Sequence, residues 1–156
     1  MPQRLSQLLR DAIELELPHL KNVGEAASLL NDGRPGSWSR KEELGHLIDS
    51  ATNNHMRFVL ATIAGEFRGE GYAQDQWVKA HGYQEIPWDT LVPLWYQYNV
   101  LLAHVVGRIA EGDLANPCRI GSSVQTLGFI IEDYVLHMRH HLDHLLARGV
   151  VTPYPA

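Results

Sequence analysis

Residues 38–58 read WSRKEELGHLIDSATNNHMRF, and this stretch decides the fold class. Ser39 followed three positions later by Glu42 is a capping box, in which each side chain satisfies a backbone N–H left free by the first helical turn. Behind the cap, Leu44, Leu47, Ala51 and Phe58 recur at the steps of one buried helix face. His46, Ser50, Asn53 and Arg57 follow at steps of four, three and four, giving a polar stripe beside that face. A helix is predicted from Ser39 to about Gly65. Its polar stripe either meets water or lines an internal site.

The neighbouring segments are helical in the same way. Over 3–30, Leu5, Leu8, Leu9, Ile13, Leu17 and Leu20 recur at three- and four-residue steps. Pro18 is expected to kink or break this helix, because proline lacks an N–H and clashes with the preceding turn. NDGRPGS (31–37) is a turn by composition. Residues 66–88 hold three glycines before Pro87 and no clean period, so they read as a crossover with at most short helices. A third helix starts between Trp88 and Pro93 and runs to Gly112. DLANPCRIGSSVQ (113–125) reads as loop, and Thr126 then caps a fourth helix over 127–147, which Gly149 ends. No alternating strand stands out. The expectation is an all-α, four-helix bundle with one long crossover connection, as a single domain over 1–156.

Composition narrows the function. Thirteen Lys and Arg against eighteen Asp and Glu give a net charge of −5 without a basic cluster, which argues against nucleic acid as a partner. No apolar run approaches the ~20 residues that span a bilayer, and the acids within MPQRLSQLLRDAIELEL do not suit a signal peptide. A lone Cys118 leaves no internal disulfide and fits a reducing, cytoplasmic setting. The unusual count is nine histidines, four of them in YVLHMRHHLDHL (134–145).

That segment carries two H-x-x-x-H pairs, His137/His141 and His140/His144, where chance placement gives about half of one. Residues four apart share a helix face, so two imidazoles can converge on one ion. The Glu of H-E-x-x-H is missing, which removes the metalloprotease reading. At about 100° per residue, His141 lies about 60° and His137 about 100° from the centre of the apolar face. His144 and His140 lie further round, at about 120° and 160°. The inward pair is therefore His137 and His141, with Asp133 one turn earlier to hold the second nitrogen of His137. A third imidazole from the stripe at His46 would complete a three-histidine set with an open position, as catalytic zinc sites have.

Plainer readings stand beside this one. The histidine cluster could be a solvated, acid-sensing face, and Arg57 a surface ion-pair member. Trp77, Trp88 and Trp95 read as packing, Glu43 and Asp49 as solvated helix charges, and Cys118 as an idle thiol.

W-x-x-x-E-x-x-x-H-L-x-D-S…RF, the YN of the third helix and Y-x-x-H-x-x-H-H-x-x-H together resemble the DinB/YfiT-like superfamily over most of the chain. The resemblance implies a dimeric four-helix bundle with one divalent transition metal, zinc or nickel, on His46, His137 and His141. It implies a small-molecule substrate, since some relatives are transferases or isomerases using bacillithiol, mycothiol or another low-molecular-weight thiol, and others are described as metal-dependent hydrolases. Thiol-dependent S-transfer is the leading expectation, and metal-dependent hydrolysis the alternative. Asn53 and Arg57 are the candidates for an anionic group of substrate or cosubstrate, and Tyr134 for the pocket wall. A rival of another class is a non-catalytic dimeric metal-binding bundle.

Overall fold

The computed structural model describes residues 1–155. Four long helices form a ring around one apolar core: α1 (Pro2–Lys21), α3 (Arg40–Ala64), α5 (Trp88–Gly107) and α6 (Leu127–Leu145). Helix α5 packs on α1 and α3, and α6 packs on the other side of both. Leu9, Ile13, Leu44, Phe58, Trp95, Leu102, Ile131 and Leu142 are completely buried between them. The molecule is a four-helix bundle, and no helix among the described residues is long and apolar enough to cross a membrane.

Helix starts follow the local chemistry. Ser39 Oγ accepts from Glu42 N at 3.1 Å and Glu42 Oε1 accepts from Ser39 N at 3.0 Å, so both halves of the capping box form. Thr126 Oγ1 caps α6 by accepting from Phe129 N at 3.1 Å. Gly65, at φ 78°, ends α3 in the left-handed region open to glycine.

Several expectations need correction. Pro18 does not break α1, which continues to Lys21. A proline one turn from a helix end loses a single backbone bond. The last turn is meanwhile held by buried Leu20, whose carbonyl accepts from Trp88 Nε1 at 2.9 Å. The break falls at Asn22–Gly24, before the short helix α2 (Glu25–Ser28). The third helix stops at Gly107 rather than Gly112.

The absence of strands is also overturned. Three short strands, β1 (Phe67–Gly69), β2 (Pro117–Ile120) and β3 (Ser123–Thr126), form a small sheet, with β1 parallel and β3 antiparallel to β2. Gly121, at φ 59°, turns the β2–β3 hairpin. Strands this short carry no alternation to detect, but a Gly-Ser pair between two such runs is a hairpin signal.

The long connection between α3 and α5 holds a helix, α4 (Gln74–His81), and a 3₁₀ turn at Tyr83–Glu85. Tyr83 lies directly on the α3 backbone at Gly45, where an added Cβ would come within 2.1 Å of its ring. Its hydroxyl donates to Asp49 Oδ1 at 2.6 Å. After α6 the chain doubles back along that helix. Thr152 N and Oγ1 both donate to Asp143 Oδ2, at 2.7 and 2.6 Å, and Thr152 O accepts from His140 Nδ1 at 2.8 Å. The segment ends with Tyr154 over the middle of α6.

Candidate metal centre

The inward stripe of α3 places His46 in the core, and the fourth-residue spacing of α6 sets His137 and His141 opposite it. One ring nitrogen from each lies within 4.8 Å of the others, and no fourth His, Cys, Asp or Glu joins the group among the described residues. His46 Nε2 and His137 Nε2 are 3.1 Å apart. Two nitrogens each ~2.0–2.1 Å from one tetrahedral ion would be about 3.3–3.4 Å apart. The His46–His137 pair is therefore already at a separation that suits a transition metal, and the third nitrogen lies within 4.8 Å of both.

Protonation favours the same use. Burial, helped by the neighbouring imidazoles, lowers His46 to about 2 and His137 to about 3. Both are neutral at pH 7 and keep a lone pair. His141 Nδ1 donates to Glu43 Oε1 at 2.6 Å, so Nε2 is the ring nitrogen left to act as a ligand. Trp38 packs its ring 4.8 Å from that of His46 and 6.4 Å from that of His141, closing the site toward the start of α3. His46 Nδ1 is buried without a hydrogen-bond partner.

His137 and His141 face a cavity of about 710 Å³ between α3 and α6, a size that suits a small organic molecule. Ser50, Asn54 and Arg57 form its α3 wall, Asp133 and Tyr134 its α6 wall, and Tyr72, Tyr154 and Pro155 its rim. Arg57 NH1 donates to Asn54 Oδ1 at 3.3 Å and makes no ion pair among the described residues. Burial lowers its pKa, opposed by Tyr72, Cys118, Asp133 and Tyr154 nearby. A guanidinium stays charged through such a shift.

Other expected site residues lie differently. Asn53 is not on the cavity wall; its Nδ2 turns back to Asp49 O at 2.9 Å, and the neighbouring Asn54 takes the wall position. Asp133 does not hold His137; its Oδ2 accepts from Tyr154 OH at 2.9 Å. Tyr134 lines the cavity, but its hydroxyl donates away from it to Asn99 Oδ1 at 2.6 Å. His140 is tied to Thr152, and His144 lies 3.8 Å from Asp32, so neither joins the three. Glu43 and Asp49 are not solvated but buried. Burial raises the Asp49 carboxyl against the hydrogen bonds from Tyr83 and His81.

Tyr72 and Tyr154 were not legible as site residues. Each sits in a segment without periodicity and reaches the cavity through tertiary folding. The P-Y-P run at 153–155 is the nearest thing to a signal.

Fold and site together define a four-helix bundle with a three-histidine cluster opening on a cavity that carries several polar side chains. No family model and no curated protein matches the sequence. Among solved structures the fold is that of YfiT from Bacillus subtilis, described as "a probable metal-dependent hydrolase with an unusual four-helix bundle topology". The superposition has a TM-score of 0.80 and covers 94% of this chain and 86% of that one, at 19% identity.

Proposed function

We propose that this protein is a metal-dependent enzyme acting on a small molecule, with one divalent transition metal, zinc or nickel, held by His46, His137 and His141. The observation that carries the reading is the convergence of three nitrogens, two of them on imidazoles kept neutral, beside a cavity. Three protein ligands suit a catalytic site, whereas a structural zinc is normally closed by a fourth. That asymmetry weighs against the purely structural bundle. Imidazole suits several transition metals, so the ligands alone do not choose between zinc and nickel.

When bound, the metal would supply Lewis acidity that lowers the pKa of a thiol or water brought to its free position. The reaction we favour is thiol-dependent S-transfer. The sulfur of a low-molecular-weight thiol would bond to an electrophilic carbon of the substrate as the leaving group departs with its electron pair. The thiol proton would be lost because metal coordination would lower its pKa without a protein base. Glu43, the carboxylate hydrogen-bonded to His141, orients that ring and faces away from the reacting side. Arg57, held by Asn54, would bind an anionic group of the substrate. Hydrolysis is the second reading, favoured by the description of YfiT and by Asp133, a cavity carboxylate able to take a proton from water.

Elemental analysis of the purified chain is the test. About one divalent ion per chain is expected, absent from the His137→Ala/His141→Ala double variant and from a still-helical His46→Ala. A wild-type chain that takes up neither Zn²⁺ nor Ni²⁺ on incubation overturns the reading. With metal established, single-turnover assays with thiols and with ester or amide panels separate transfer from hydrolysis.

A further inference from the structure

Two opposite charges line the cavity without meeting. Arg57, on α3, is half-buried, has Asn54 Oδ1 at 3.3 Å as its hydrogen-bond acceptor, and forms no ion pair within 4.0 Å among the described residues. Asp133, on α6 one turn before His137, accepts from Tyr154 OH at 2.9 Å on one carboxylate oxygen, and its other oxygen has no hydrogen-bond partner among the described residues. Both residues line the same space as His137 and His141. Each is held at hydrogen-bond distance by a neutral neighbour, Asn54 or Tyr154, and the two charges act on one another only from beyond contact, Asp133 helping to hold up the Arg57 pKa. A half-buried charge without a counter-ion is costly unless something supplies one. Here the missing counter-ions have opposite signs.

We infer that the cavity takes an amphoteric small molecule, with an anionic group such as a carboxylate at Arg57 and a protonated amine at Asp133. This rests on the metal-enzyme reading and narrows its substrate class. Hydrogen bonds between charged partners are the strong ones, and a guanidinium can grip a carboxylate with two parallel bonds. An uncharged or singly charged molecule would leave one wall group without its counter-ion.

Four thiols on one skeleton separate the two charges: N-acetylcysteamine has neither, N-acetylcysteine the carboxylate, glycylcysteamine the amine, and glycylcysteine both. They are titrated into the full chain loaded with Co²⁺, whose absorption reports metal uptake before any thiol is added and thiolate ligation afterwards. Glycylcysteine is expected to bind most tightly, each charge adding about tenfold. Arg57→Gln should erase the gain from the carboxylate alone, and Arg57→Lys should restore part of it. Asp133→Asn, which keeps an acceptor for Tyr154, should erase the gain from the amine alone. Equal affinities for the four thiols overturn the proposal, as does a carboxylate gain that survives Arg57→Gln. If no Co²⁺ is taken up, the metal reading fails separately. The same series followed by chemical-shift changes in the metal-free chain then decides, the same rank order supporting the amphoteric site and equal binding rejecting it.

Discussion

Glu43 is 4% exposed, and its carboxylate accepts the 2.6 Å hydrogen bond that fixes His141. A carboxylate on the far nitrogen sets the tautomer, orients the ring and raises its basicity as a ligand. Its other contact, Arg34 at 3.9 Å, is 47% exposed at the arginine and adds little. Glu43→Gln keeps an acceptor but removes the charge, so metal affinity should fall by about 10- to 100-fold, with helicity unchanged. Competition with a chelator measures this, and unchanged affinity would show that Glu43 only packs. His137 and His141 were legible because spacing and angle are local properties of a helix, whereas His46, 91 residues from His137, was only a member of the α3 polar stripe until the family resemblance joined it to them. Glu43 was not legible, since its partner is 98 residues away and only the docking of α6 on α3 brings them together. Asn53 and Asn54 show a finer limit. Each donates its Nδ2 to the carbonyl four residues back, Asn53 to Asp49 O and Asn54 to Ser50 O, both at 2.9 Å, so it is the way α3 is turned toward α6, settled only on docking, that puts Asn54 and not Asn53 on the cavity wall.

At the scale of elements, the segments without periodicity do the finishing. Gly45 lets the Tyr83 ring lie on α3, and Tyr83 in turn anchors the connection that brings Tyr72 to the cavity. Alanine has a helix propensity about 1 kcal/mol better than glycine. An added Cβ at 2.1 Å from the Tyr83 ring would nevertheless force it off the helix, and overpacking of this kind costs typically 1–3 kcal/mol. Gly45→Ala should therefore lower the denaturation midpoint despite its propensity gain; a raised midpoint would mean the connection is free to shift. The C-terminal segment depends similarly on Thr152. Thr152→Val removes the 2.6 Å hydroxyl bond to Asp143, a loss of about 1–3 kcal/mol for a bond to a charged group. The amides of Gly149 to Thr152 and of Tyr154 should then exchange faster, while the bundle keeps its midpoint to within that loss. The four helices were readable because each has a cap or a sustained period. Three- and four-residue strands and an eight-residue helix offer neither, and tertiary pairing decides them.

For the molecule as a whole, the site makes stability depend on pH. His46 and His137 titrate near 6.5 in the unfolded chain but at about 2 and 3 in the native one, chiefly through burial. Between those values the unfolded state binds protons that the native state refuses, so stability rises with pH and is lost as pH falls below about 6.5. From pH 7 to pH 5 the loss is on the order of 2 kcal/mol for each histidine, a large share of the 5–15 kcal/mol typical of a domain. The raised Asp49 acts with the opposite sign, but only near its unfolded value of 3.8 and above it toward its native one, leaving the histidines to dominate the upper part of this window. Urea denaturation of the metal-free chain at pH 7, 6 and 5 should show the decline, and a flat profile would mean that these imidazoles are not held neutral by the fold. Added Zn²⁺ should raise every point by nearly the same amount, about 4 kcal/mol at a thousandfold excess over its dissociation constant. His46 and His137 are neutral in the folded chain across this range, each with a ring nitrogen free of titrating protons, so the metal does not compete with protonation there. An increment that shrinks steeply toward pH 5 would mean that protons compete with the metal and that His46 and His137 are not held neutral by the fold.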